Sequence, residues 1–70
     1  MLIAGKFYAY PVERYVYADL HQSKQIDKIE YDEPFILLER DYLEYWKVLT
    51  INGVVGWIHI GYTECVKLVA

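Results

Sequence analysis

The chain is predicted to fold as a small all-β barrel of five to six short strands, on three observations. Asn52-Gly53 separates two β-rich runs, 45–51 and 54–60, which is the pattern of a tight hairpin. Turn-forming residues recur between short apolar or alternating runs along the whole chain, the spacing of a sandwich or barrel. Seventy residues supply a single domain with one small core, which selects the barrel.

Each element follows in order. Residues 2–10 are apolar and aromatic, with Gly5 as a bend or bulge, and Pro11 ends the run because it lacks a ladder donor. Residues 15–20 alternate, with Val16, Ala18 and Leu20 on one face and Tyr15, Tyr17 and Asp19 on the other. That is a half-buried strand. Residues 21–28 are polar and read as an excursion loop, with a helical turn possible because Ile26 and Ile29 are three apart. Those isoleucines are expected in the core. Asp32 and Pro34 mark a turn over 30–34. An apolar strand follows over 35–39, then a charged loop over 40–44 and the Asn-Gly hairpin. Residues 61–64 suit a single 3₁₀ turn, and 65–69 a last short strand.

Composition narrows the function classes. The chain is 56% hydrophobic and 17% aromatic, with eight tyrosines, more ring surface than so small a barrel can hide. Some tyrosines are therefore expected outside, where an amphipathic ring suits an interface. The net charge is −3 and no basic stripe appears, so nucleic acid is disfavoured and a protein or peptide partner fits better. Cys65 stands alone, without a disulfide partner or zinc spacing, which fits a reducing compartment. The first residues lack the pattern of a signal peptide, and no run approaches a membrane span of about twenty apolar residues. The expectation is a cytoplasmic protein without membrane attachment.

Several residues together carry a family resemblance. They are Ile26 and Ile29, Asp32-Glu33, the strand at 35–39, Tyr45-Trp46-Lys47-Val48, Asn52-Gly53, and Gly56-Trp57-Ile58-His59-Ile60-Gly61-Tyr62. In order and spacing they resemble a bacterial Src-homology-3-like (SH3b) domain over about two-thirds of the chain. The last third is the most specific part. Val16-Tyr17-Ala18 is similar to the family's first core strand. Three departures stand out: Asp32 replaces the glycine of the diverging turn, Tyr45 replaces a tryptophan, and the Arg-Ser-Gly-Pro segment of wall-binding members is missing. Asp can adopt the left-handed conformation that such a turn needs.

The resemblance implies a bacterial SH3-like barrel with an aromatic groove made by Tyr17, Tyr45, His59 and Tyr62, and the small size with no signal pattern suits a protein encoded by a phage or mobile element. Trp46 is included among the groove residues, but packing over a sheet face is its favoured role, since alternation sets it opposite Tyr45 and Lys47. Acidic residues Asp27, Glu30, Asp41 and Glu44 would flank the groove. Eukaryotic relatives bind proline-rich peptides in such a groove, but His59 and Tyr45 stand at the two positions that would specify them.

Catalytic and metal chemistry find little footing. His59 has only His21 as a possible second imidazole, and a metal needs more ligands. Cys65 has no activating histidine in register and reads as a small hydrophobe. The carboxylates over 30–33 and 39–44 lie among turn-forming and charged residues and read as solvated loops. Trp57 reads as core or half-core packing. The expectation is a non-enzymatic interaction module without a cofactor, an adaptor, inhibitor or accessory protein, monomeric or weakly dimeric. A wall- or glycan-binding module, a single-stranded nucleic-acid binder and a self-associating structural protein are the alternatives.

Overall fold

A computed structural model of the chain describes residues 4–20, 24–40, 45–60 and 66–69. The hairpin predicted from Asn52-Gly53 is present: β5 (Tyr45–Thr50) and β6 (Val55–His59) pair antiparallel from Tyr45↔His59 to Leu49↔Val55. Gly53 N–H donates to the Thr50 carbonyl at 3.0 Å, and Thr50 N–H donates to the Val54 carbonyl at 2.9 Å. Gly53 has φ 78°, whereas Asn52 stays out of the left-handed region. The connection is thus a three-residue loop, a turn closed by one left-handed glycine, rather than a two-residue Asn-Gly turn.

Strands add on both sides of this hairpin. Beyond β5 lie β4 (Phe35–Arg40), β1 (Phe7–Ala9) and β7 (Lys67–Leu68), and beyond β6 lie β2 (Arg14–Tyr17) and β3 (Gln25–Ile29). All seven belong to one antiparallel sheet in the order β3-β2-β6-β5-β4-β1-β7. The all-β class is therefore right, but the closed barrel of five to six strands is not. The two end strands, β3 and β7, are not paired with each other. The extra strand is β3, which occupies half of the segment expected to be a loop. Pairing with β2 from Arg14↔Ile29 to Tyr17↔Gln25 draws these polar residues into the sheet despite their weak alternation. The 3₁₀ turn expected over 61–64 and most of the charged loop over 40–44 lie outside the described residues.

The sheet curls instead of closing. Register shifts leave an extra residue in β3, at Ile26 opposite Val16 and Tyr17, and in β4, at Leu38, and such irregularities bend and twist a strand. The smallest dimension, 20 Å, is about two layers at the ~10 Å spacing of packed sheets. The concave side holds Val16, Ile29, Phe35, Leu37, Trp46, Val48, Ile58 and Ile60, all essentially inaccessible. Trp46 is its centre, 6.3 Å from the rings of both Tyr8 and Phe35. Ala18 and Leu20, expected inside, are exposed because β2 ends at Tyr17 and the chain turns back with Ala18 N–H bonded to the Lys24 carbonyl. Ile26 sits at the rim, 37% exposed, while Ile29 reaches the core as expected.

Two backbone positions make the curl possible. Asp32 has φ 59°, the left-handed conformation expected of it, and its N–H bonds to the Tyr10 carbonyl at 3.0 Å. Gly56 lies where β2 and β3 press on β6. A Cβ there would stand 2.5 Å from Val16 Cγ1 and 2.8 Å from the Tyr17 carbonyl oxygen.

Side chains then tie β3 to the tip of the hairpin. Thr50 Oγ1 donates to Asp27 Oδ2 at 2.7 Å, and Asn52 Nδ2 donates to Asp27 Oδ1 at 3.2 Å. Thr50 Oγ1 also accepts from Asn52 N–H at 3.2 Å and from Val54 N–H at 3.3 Å. The Thr50 hydrogen bond holds the Asp27 carboxyl below its ordinary value of 3.8, against the opposing effect of burial, with Lys28 N–H and Asn52 adding to the depression. Asn52 is therefore more than a turn residue.

Candidate functional site

Outward-facing residues of β2, β5 and β6 form an aromatic surface. Alternation places Tyr15 and Tyr17 of β2 opposite the buried Val16, Trp57 and His59 of β6 opposite the buried Ile58, and Tyr45 and Lys47 of β5 opposite the buried Trp46. Register then aligns them into rows. Tyr17 pairs with Trp57, Trp57 with Lys47, and Lys47 with Glu39, whose carboxylate lies 3.5 Å from the Lys47 ammonium. Continuing the same antiparallel register sets Tyr15 beside His59, and His59 pairs with Tyr45 at 5.0 Å between ring centroids.

A depression of 260 Å³ opens between these rows, lined by Arg14, Tyr15, Tyr17 and His59. Arg14 is stacked over the buried Tyr10 ring at 4.7 Å, with Nη2 3.4 Å from the Tyr10 hydroxyl and Nη1 donating to the Glu13 carbonyl at 3.3 Å. Its Nε is buried without an acceptor among the described residues. Lys28, across the strand pair from Tyr15, sits 5.9 Å above that ring. Its ammonium is occupied by Glu13 at 3.1 Å and Glu30 at 3.7 Å. The Glu13 hydrogen bond and charge raise the Lys28 pKa above 10.5.

Three of the four expected groove residues are described, and Tyr17, Tyr45 and His59 do share one face. Tyr62, Asp41 and Glu44 lie outside the described residues. Trp46 is not on that face: it is 0% exposed, because alternation turns it inward between Tyr45 and Lys47. Its indole Nε1 has no acceptor among the described residues, and Arg40 stacks over it at 5.7 Å. Asp27 does not flank the face either, since Thr50 and Asn52 hold it on the concave side. Glu30 is exposed at the margin, tied to Lys28. Comparison with protein-family models, with curated proteins and with solved structures gives no match for this chain.

Sequence reasoning left out Tyr15, Trp57 and Arg14. The first two were legible: Tyr15 alternates in phase with Tyr17, and Trp57 is in phase with His59. Arg14 had no such signal, because its place depends on β2 crossing β6. Next to the aromatic rows runs a second band that is purely apolar. Val55, Leu49, Ile36 and Phe7 are consecutive cross-strand partners, and Val69 N–H bonds to the Phe7 carbonyl at the end of the row. Val55 is 47%, Phe7 40% and Val69 53% exposed. Among the described residues no group of three or more His, Cys, Asp or Glu could hold a metal ion, and no helix is long and apolar enough to cross a membrane.

Proposed function

We propose that this chain is a non-enzymatic interaction module that binds a protein segment across the outer face of β2, β6 and β5. The observation that carries the reading is the alignment of Tyr15, Tyr17, Trp57, His59 and Tyr45 on adjacent rows around an open depression. Tyrosine and tryptophan supply large contact areas at low entropic cost, and clusters of them dominate binding energy at interfaces. The order of the strands, with a β2–β3 hairpin, a turn at Asp32 and a tip at Asn52-Gly53, supports the Src-homology-3-like reading of the sequence. In that reading the module is a cytoplasmic adaptor, inhibitor or accessory protein of bacterial or phage origin. A nucleic-acid ligand finds less support, because Lys28 and Lys47 beside the rings are already paired with carboxylates.

Tyr17→Ala with Tyr45→Ala tests the reading. The double variant should remain folded, since both side chains are only half-buried on the convex side. Partners that the native chain retains from its host's lysate should be lost, with affinity for each reduced about tenfold or more. Full retention by the folded variant excludes this face as the grip. A second reading, self-association, is favoured by the apolar band from Val55 to Val69.

A further inference from the structure

We infer that a second copy of this chain packs on the apolar band of the convex face, about a two-fold axis that runs parallel to the strands between β4 and β5. Leu49 of each copy then lies on Ile36 of the other, and Lys47 lies on Glu39. This rests on the self-association reading of the band and fixes which residues meet.

Two neighbouring rows of the convex face make the contact. Leu49 stands between buried Val48 and Thr50, Ile36 between buried Phe35 and Leu37, and Phe7 beside buried Tyr8. Alternation therefore turns all three away from the core. With Val55 they cross four adjacent strands, a row about 14 Å long at the ~4.8 Å strand spacing. One pleat along the strands runs the second row, Trp57, Lys47 and Glu39. Gly5 follows on the β1 side, with its N–H bonded to the Leu37 carbonyl at 2.7 Å.

These rows are their own complement. Rotation about the stated axis brings β5 over β4 and β6 over β1, so Leu49 faces Ile36 and Val55 faces Phe7, apolar against apolar. In the second row Lys47 faces Glu39 and Glu39 faces Lys47. Within one copy those two groups already lie 3.5 Å apart, so the four together make a square of alternating charge. Trp57 comes over Gly5, which is exposed and has no described atom within 4 Å of its Cβ position. The bulkiest side chain of the row thus meets a residue that has none. An axis along the band would instead set Lys47 toward Ile51 and Glu39 toward Pro34, leaving both charges without a partner across the interface. A foreign protein would need this mixed pattern built to match, whereas a second copy supplies it by symmetry. Because the sheet curls, two convex faces touch over these central rows and fall well short of the ~800 Å² per partner of a standard interface. The dimer is accordingly weak.

An isotope-filtered NOESY spectrum of labelled and unlabelled full-length chain, mixed at millimolar concentration, tests the arrangement, with sedimentation velocity on the same sample. Contacts between copies should join the Leu49 methyls to the Ile36 methyls and the Trp57 indole to the Gly5 Hα. Lys47→Glu and Glu39→Lys should each weaken dimerisation about fivefold to tenfold, and the variant carrying both should regain native strength. In a sample that dimerises, contacts of Val55 with Val55 or of Phe7 with Phe7 overturn the inference and leave self-association standing. A double reversal no stronger than the single ones does the same. A chain that stays monomeric at that concentration overturns the inference and the self-association reading together.

Discussion

Asp27 shows how much one side chain can do in a chain this small. Its carboxylate accepts from Thr50 and Asn52, so protonation removes an acceptor from two donors at once. The folded-state pKa lies below the ordinary 3.8, so the stabilisation is complete above that value and disappears as pH falls through the depressed one. Urea melts should show native protein more stable than Asp27→Asn by about 1–2 kcal/mol at pH 6. That gap should close at pH values below the folded-state pKa. A gap that persists unchanged into strong acid would mean the carboxylate's charge is not what matters. Asp32 is the contrasting case, since its left-handed backbone was expected from its place in the turn cluster. Asp27 was expected in a loop flanking the groove, because nothing local signals that β3 forms and reaches the far hairpin.

At the scale of elements, legibility followed alternation. β5 and β6 were visible because branched and aromatic residues alternate around a turn, and the convex rings of Tyr45 and His59 came with them. The same alternation sets Trp46 opposite Tyr45 and Lys47 and turns it inward, into the packing role favoured for it over a place in the groove. β3 was hidden because a polar strand gains its stability from pairing and from one buried residue, Ile29, rather than from its own pattern. The crossing of β2 over β6 was equally hidden, and it depends on Gly56. In Gly56→Ala the new methyl meets Val16 and the backbone of Tyr17 most closely, with the end of Ile26 a little further off. The expected cost is about 1–3 kcal/mol, a fall in Tm of about 4–8 °C per kcal/mol for a domain this size. A thermal melt checks it, and an unchanged Tm would show that the two strands can separate freely there.

Among the described residues the molecule presents two sheet edges, β3 and β7, and one unusually apolar face. The edges are poor templates for another strand. β7 is only two residues long, and the β3 edge carries Lys28 with its two glutamates. Association between copies would therefore use the convex face, where Val55, Leu49, Ile36, Phe7 and Val69 lie in one row. Under the self-association reading, sedimentation velocity should show the weight-average mass rising with concentration, and Phe7→Lys with Val55→Lys should hold the chain monomeric. A native chain that stays monomeric at millimolar concentration removes that reading and leaves the apolar band unassigned.

Among the described residues one pair, Tyr17↔Trp57, registers the β2–β3 hairpin against the rest of the sheet. Val16, Ile29, the Asp27 contacts and the stacking of Arg14 on Tyr10 add to the attachment. Arg14, Tyr15 and Tyr17 all ride on that hairpin, whereas His59 and Tyr45 belong to the other body of the sheet. The depression is thus a shared property of two pieces and exists only while they are docked. Any ligand spanning the seam reports the docked population as well as its own contacts, since apparent affinity scales with the competent fraction. A substitution at Thr50, remote from every ring on the convex side, would then weaken binding without touching the ligand, and a tight ligand would in turn clamp the hairpin down.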